Sequence, residues 1–237
     1  MLIAVGLIIV FGSIYVGYTM HGGAIGVLVQ VSEFIIIGGA GLGALIIGNR
    51  PGVLKEIGIR TIGLLKPNQY GRAAYAELLQ VLYDIFYMAR KDGLVGIESH
   101  IEAPANSEIF RKYPTFQSNH HAVAFLSDTM KVLLTGAVED HHLSEILDLD
   151  LERHHSEAMA VPGALSKLSD AMPGFGIVAA VLGVIITMGK IGGSAAAIGE
   201  SVAAALVGTF LGILLAYGVL SPIASAIEQR LHAEDAY

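Results

Sequence analysis

The chain has 237 residues, a formal net charge of -7, and neither cysteine nor tryptophan. Hydrophobic residues make up 54% of it and charged residues 15%, with a mean hydropathy of +0.63; soluble domains carry about 25% charged residues. A purely soluble protein is therefore excluded, and so is a disordered one, because this much apolar surface must be buried somewhere. The missing cysteines remove disulfides, thiolate zinc sites, iron–sulfur clusters and cysteine nucleophiles. The acidic balance argues against a general nucleic-acid binder.

Charge divides the chain into blocks. Residues 1–48 hold a single charged residue, Glu33, and residues 171–227 hold only Lys190 and Glu200. Between them, residues 49–170 hold 12 of the 14 Lys and Arg and 16 of the 21 Asp and Glu. A helix needs about 20 apolar residues to cross the hydrocarbon core, so each apolar block is long enough for two spans. In chain order, residues 2–18 form a first span, the turn 19–23 follows, and residues 25–47 form a second. Residues 2–18 have no basic start and no small-residue cleavage site after the apolar run, so they read as a retained helix and not as a signal peptide. In the middle block, residues 73–90 place Leu78, Leu79, Leu82, Ile85, Phe86 and Ala89 at three-to-four-residue spacing, as in an amphipathic helix. Residues 122–134 and 143–151 are similar, and Pro104, Pro114 and Pro162 punctuate between helices. Residues 173–188 with their neighbours form a third span, 189–194 a turn, and 201–220 a fourth.

The fold expected is an all-α membrane protein: four transmembrane helices in two hairpins, with a helical cytoplasmic domain between the second and third. The corresponding segments are 1–48 for helices 1 and 2, 49–170 for the cytoplasmic domain, 171–223 for helices 3 and 4, and 224–237 for a C-terminal tail. Orientation follows from Lys and Arg. Arg50, Lys55, Arg60 and Lys66 lie close behind the second span, whereas the two turns between spans carry only Lys190. This puts the middle block and both termini in the cytoplasm.

Several residues are candidates for chemistry. Glu33 is the only carboxylate well within an expected span, and an intramembrane acid is a functional candidate by default; it reads either as a proton carrier or as an acid bonded to its neighbours or to another subunit. Gly176, Ala179, Ala180 and Gly183 on the third span, and Ala204, Gly208, Gly212 and Ala216 on the fourth, make small-residue stripes that let backbones approach closely. These serve either packing within the chain or a path shared with a partner. Thr209 is the principal hydroxyl deep in the fourth span, directed either to its own helix carbonyls or to an ion path. With no carboxylate on these two spans, a channel built from them needs its titrating group from another chain. Pro173 and Pro222 form a matched pair at the cytoplasmic span ends, reading either as helix-boundary punctuation or as two hinges. Arg90 to Glu98, a basic helix end followed by acids after a glycine turn, reads as a docking surface or as ordinary capping. The pairs His120-His121, His141-His142 and His154-His155 match no zinc motif and read as solvated helix faces. No P-loop, GxSxG or dinucleotide motif occurs, so neither an enzyme nor a cofactor is expected.

Taken in order, these segments resemble the motility protein A (MotA) family, the ring-forming subunits of the ion-driven flagellar stator. The resemblance rests on Gly22-Gly23 to Gln30 with Glu33, Gly38-Gly39-Ala40-Gly41-Leu42-Gly43, and Met88-Ala89-Arg90-Lys91-Asp92-Gly93 to Ile97-Glu98. It continues through Ser107-Glu108-Ile109-Phe110 before Tyr113-Pro114. Most specific are Met172-Pro173-Gly174-Phe175-Gly176-Ile177-Val178-Ala179-Ala180 and Val207-Gly208-Thr209-Phe210-Leu211-Gly212 through Ser221-Pro222. It implies a ring of five copies in the bacterial inner membrane around two copies of MotB, which supplies the ion-binding aspartate and anchors the complex to peptidoglycan. It implies that Arg90 and Glu98 contact the rotor protein FliG, that Pro173 and Pro222 couple protonation to movement, and that Ala180 and Thr209 line the ion path. Sodium-driven relatives place a hydroxyl residue at the position of Ala180, so the alanine implies protons. The broader family contains a rival, an energy-transducing subunit of the ExbB/TolQ type. The sequence departs from the family pattern in two places. Val31 stands where proline is usual, which implies a straighter second span near Glu33. Members usually continue through a further cytoplasmic segment beyond the position of Tyr237, so a short or truncated form is expected.

Overall fold

A computed structural model describes residues 2–67, 69–136, 139–190, 192 and 194–237. Among the described residues all regular structure is helical. In chain order the helices are α1 (Leu2–Met20), α2 (Ile25–Leu28), α3 (Val31–Gly48), α4 (Pro51–Gly63), α5 (Arg72–Asp92), α6 (Leu94–Glu102), α7 (Glu108–Arg111), α8 (Pro114–Ser118), α9 (His120–Thr135), α10 (Asp140–Met188), α11 (Ala195–Ile213) and α12 (Ser221–Asp235). A 3-10 turn at Pro104–Asn106 precedes α7, and a π-helical stretch, Leu214–Leu220, joins α11 to α12. Among the described residues, four helical stretches are long and apolar enough to cross a membrane: Leu2–Met20, Ile25–Gly48, His141–Met188 and Ala195–Asp235. Their apolar side chains mostly face outward. Leu2 and Ile47 are 87% and 89% exposed, as expected of surface meant for lipid or for other chains.

The chain forms two compact units. One comprises Met1–Pro67 with Ala158–Arg230, the other Asn68–Glu157 with Leu231–Tyr237. The first holds most of the apolar stretches. In it α11 packs against α2 and α3, and α1 against α2 and the π-helical stretch. Arg230 closes the open end of α4. Its guanidinium donates to the carbonyls of Gly63 at 2.6 Å, Lys66 at 3.3 Å and Pro67 at 3.0 Å, where a helix C-terminus leaves carbonyls unpaired and favours a cation.

Three features differ from the sequence expectation. The second span is not straightened by Val31. Val29 (φ -95°, ψ 83°) and Gln30 (φ -104°, ψ 103°) leave the helical region and separate α2 from α3. A proline at position 31 is not required for this break, because the chain resumes on Gln30, whose carbonyl accepts from Glu33 and Phe34 N–H at 3.1 and 3.2 Å. Pro162 does not punctuate. It lies inside α10, the 49-residue helix that also contains Pro173. An interior proline costs about 3 kcal/mol, and here the same turn buries Val161, Ala164 and Leu165, whose packing offsets it. The apolar face of α5 is also rotated from the one expected: Val81 and Ile85 are fully buried, whereas Leu79 and Phe86 are exposed. Leu78, Leu82 and Ala89 do face the core.

The second unit has a core of its own, built from Val81 and Ile85 of α5, Ile97 and Ile101 of α6, Ile109, Phe110, Phe116, Leu126 and Met130. Phe110 and Phe116 meet at 5.5 Å with rings tilted by 54°. The prolines 104 and 114 each open a helix, where the missing N–H is no loss. The turn from α5 to α6 is made at Gly93, with φ +79°, a conformation that a side chain strains. Glu77 of α5 caps α8: its carboxylate accepts from Thr115 N–H at 2.9 Å, Phe116 N–H at 3.2 Å and the Thr115 hydroxyl at 2.9 Å. Tyr113 donates to Asp84 Oδ2 at 3.0 Å.

Two predictions follow from these polar contacts. Glu77→Ala removes the cap and is expected to destabilise the second unit by about 1–2 kcal/mol, seen as faster amide exchange at Thr115 and Phe116; unchanged exchange there would refute the cap. Burial, reinforced by the hydrogen bond to Asp84, pushes the Tyr113 hydroxyl above the usual tyrosine range. Because the folded value is raised, the stabilisation is complete below the unfolded value and disappears as pH rises through the folded one. The phenolate absorbance lost in Tyr113→Phe is expected to titrate above that of a free tyrosine, and Asp84→Asn is expected to lower it.

Candidate functional site

The first unit is organised around helix backbones in near contact. A β-carbon on Gly212 would stand 2.7 Å from the Met172 carbonyl oxygen and 2.9 Å from Gly176 Cα. One on Gly176 would stand 2.9 Å from the Gly208 carbonyl oxygen and 3.3 Å from Thr209 Cα. One on Gly183 would stand 2.7 Å from Ala205 Cβ. The small-residue stripes of the third and fourth spans therefore face each other, with only glycine fitting at several positions. Met172 also bridges to α3, its sulfur 3.0 Å from where a Gly41 β-carbon would lie.

Glu33 sits at the edge of this seam. The break at Val29–Gln30 puts it in the first turn of α3, where N–H groups lack helical acceptors and the helix dipole favours negative charge. It is 4% exposed, and among the described residues its Oε2 has no hydrogen-bond partner. A β-carbon on Gly208 would stand 2.6 Å from that oxygen, 3.1 Å from Ala179 Cβ and 3.4 Å from Ala180 N. Glu33, Ala180 and Thr209, expected separately from the sequence, thus gather around one stretch of seam. Ala180 and Thr209 are half-buried. Thr209 has no hydrogen bond to its own helix carbonyls, unlike Thr187, which donates to Gly183 O at 2.8 Å.

The two prolines occupy different settings. Pro173 follows Met172 inside α10, half-buried, and leaves the Ser169 carbonyl without its helical donor. Ser169, itself 2% exposed, donates its hydroxyl across to the Ala216 carbonyl at 2.9 Å. Ala216 lies in the π-helical stretch and accepts also from Ser221 N–H. Pro222 is exposed and follows directly. It brings no N–H for Gly218, and the wide turn stands just before it, a place where such turns often accompany function. Ser169 and the wide turn escaped the sequence reading. A lone serine in an apolar helix gives no sign of a partner 47 residues away, and only the proline hinted at irregular backbone.

Arg90 and Glu98 belong to the other unit, on either side of the Gly93 turn. Both are exposed, and among the described residues neither has a salt bridge or hydrogen-bond partner. Arg90 continues the exposed face of α5 that carries Leu79, Tyr83 and Phe86. The seam holds no set of metal ligands; the groups of His, Asp and Glu near enough to share an ion are Glu139–His141–His142 and His155–His232–Asp235, among the described residues.

The geometry separates two glycines by consequence. At Gly212 the obstructing atoms are backbone and cannot turn aside, so Gly212→Ala is expected to cost about 1–3 kcal/mol. At Gly208 the nearest atom is the end of a flexible side chain, so Gly208→Ala is expected to fold with a smaller loss while displacing Glu33. Thermal unfolding of the two variants in detergent checks the order, and a reversed order would contradict the seam.

Comparison with known proteins agrees with this architecture. Residues 4–93 match the family model described as Motility protein A N-terminal, and residues 117–237 match the MotA/TolQ/ExbB proton channel family. Motility protein A of Salmonella typhimurium is 39% identical over 97% of this chain and 78% of its own length, and that of Escherichia coli is 38% identical over the same shares. Chemotaxis protein LafT of Vibrio parahaemolyticus is 40% identical over 95% of this chain and 79% of its own. In fold, the chain superposes on a subunit of C. jejuni MotAB with a TM-score of 0.76 at 18% identity, covering 98% of this chain and 83% of that one. The flagellar MotAB stator complex from Bacillus subtilis gives 0.75 at 21% identity over the same shares. By its sequence over nearly its whole length, the chain belongs to the motility protein A family, within the MotA/TolQ/ExbB proton channel family.

Proposed function

We propose that this chain is the proton-channel subunit of a flagellar stator, converting ion flux into rotation. The observation that carries the reading is the seam: two apolar helices in backbone contact, with Ala180 and Thr209 beside it, and no acid between residues 173 and 188 or 201 and 220. The two seam helices carry no acid of their own, Glu33 reaching the seam from α3, so this reading takes the ion-binding carboxylate from a partner. The MotAB complexes whose fold it shares pair a similar chain with MotB, so the reading takes two MotB copies, each bringing an ion-binding aspartate, within a pentamer of this chain. The ion is H+, because Na+ needs several oxygen ligands and the side chain of Ala180 offers none.

The same reading assigns the rest. The four spans form two hairpins in the bacterial inner membrane, residues 1–48 and 171–223, with 49–170 and 224–237 in the cytoplasm, as the Lys and Arg distribution supports. Arg90 and Glu98, charged and unpaired beside an exposed apolar face of α5, contact the rotor protein FliG. Pro173 and Pro222, next to the Ser169–Ala216 bond and the wide turn, are the hinges that pass protonation to the cytoplasmic helices. The ExbB/TolQ alternative is favoured by no separate observation, whereas the match over residues 4–93 is to motility protein A.

The buried Glu33, whose Oε2 has no hydrogen-bond partner among the described residues, favours one second reading, a self-contained carrier. Ion flux through the purified chain in liposomes without MotB would support it and count against the stator path. The stator reading is tested by the mass of the detergent-solubilised complex with and without co-expressed MotB. Five copies plus two are expected; a monomer or dimer indifferent to MotB would overturn it. Arg90→Glu is expected to reduce torque at unchanged protein level, with partial recovery from a compensating charge change on FliG. Equal loss of protein would make Arg90 structural.

A further inference from the structure

Adjacent histidines point in different directions along a helix, so the three His-His pairs read from the sequence as solvated faces. The folded chain gives two of them partners on other helices. His121 sets its ring against His154, with centroids 4.8 Å apart. His155 faces the last helix: its ring lies 5.6 Å from that of His232, and its Nδ1 bonds directly to Asp235 Oδ2. We propose that His155, His232 and Asp235 form a binding site for a first-row divalent transition-metal ion of the zinc class.

Three observations carry this. One ligand atom from each residue lies within 4.8 Å of the others. His232 and Asp235 are three apart on α12 and so share a face, while His155 comes from α10, so donors converge from two helices whose backbones are already placed. Two imidazoles and a carboxylate suit Zn2+, Co2+, Ni2+ and Cu2+, whereas Mg2+ and Ca2+ take all-oxygen sets. Donors at about 2.1 Å from one ion stand roughly 3.0–3.5 Å apart, so the present spread closes by side-chain rotation. Water completes the coordination. The side chains of His155 and Asp235 are 40% and 24% exposed, which leaves an entry route.

The other group of possible ligands, Glu139, His141 and His142, is exposed and comes from one short segment. No second element positions it, so gathering an ion there carries the full ordering cost. The site at His155 has a structural consequence that the other lacks. An ion there fastens the last turn of α12 to α10, 80 residues upstream in sequence, and so holds the segment in which Tyr237 packs on Tyr70 and Tyr75, each at 5.5 Å.

The test uses the untagged full chain in detergent, stripped with a chelator and titrated with zinc chloride in a calorimeter. Saturation at one ion per chain is expected. His232→Ala and Asp235→Asn are each expected to weaken binding at least tenfold, while a His141→Ala, His142→Ala double substitution leaves it unchanged. Absence of binding, binding that survives both single substitutions, or binding lost with the His141/His142 double substitution would overturn the proposal. Should a variant fail to fold, the wild-type chain loaded with Co2+ decides: visible d–d bands of nitrogen-coordinated cobalt are expected, and a spectrum of hexaaqua ion alone would refute the site. Zinc is further expected to slow amide exchange in residues 231–237.

Discussion

Close approach of two helix backbones is the constraint from which the rest of the first unit follows. Where Gly212 meets the Met172 carbonyl and Gly176 meets that of Gly208, there is no room for a side chain, and the helices are held by backbone contact and dispersion. In lipid the hydrophobic effect does not push helices together, so this contact is the available source of specificity. It fixes which faces are inward. Ala179, Leu211 and Ala216 are buried by it, and the outward faces are left to lipid or other chains. A seam without side chains also lets small rearrangements proceed without repacking large groups.

The seam explains why a carboxylate can be tolerated nearby. Glu33 would be costly in hydrocarbon, yet the break after Leu28 begins a new helix just before it, and Gly208 leaves space for its oxygen. Break and glycine are both needed. A continuous helix would remove the N-terminal dipole, and a side chain at position 208 would take the place of the carboxyl group. The Ser169 hydroxyl acts in a similar way at the other end, supporting the carbonyl of Ala216 in the wide turn.

Much of this was legible in the chain because hydropathy and small-residue spacing are strong, additive signals. The four apolar stretches, the stripes of the third and fourth spans and the all-helical middle were all readable from them. What failed depended on tertiary context. The α5 face turned by one position, since Leu78, Val81, Leu82 and Ile85 fit a helical stripe as well as the set containing Leu79 and Phe86. Pro162 looked like a boundary because local energetics disfavour it, and only burial of Val161, Ala164 and Leu165 reverses the balance. The break at Val29–Gln30 has no local marker, since both residues are acceptable in a helix. Partners of single residues, such as Arg230 with the end of α4 or Glu77 with α8, lie too far apart in sequence to be paired by spacing.

The discontinuity of the first unit bears on how the protein is made. About 175 residues separate Glu33 from Gly208, and at 5–20 residues per second the ribosome needs roughly 9–35 s to bridge them. Once Gly48 has been made, α1 to α3 are complete for the rest of that interval while α11, which packs on α2 and α3, does not yet exist. The nascent chain therefore holds an uncovered acid in an apolar helix pair for longer than most folding events take. A delay in translation or insertion of α11 lengthens the exposure by the same amount.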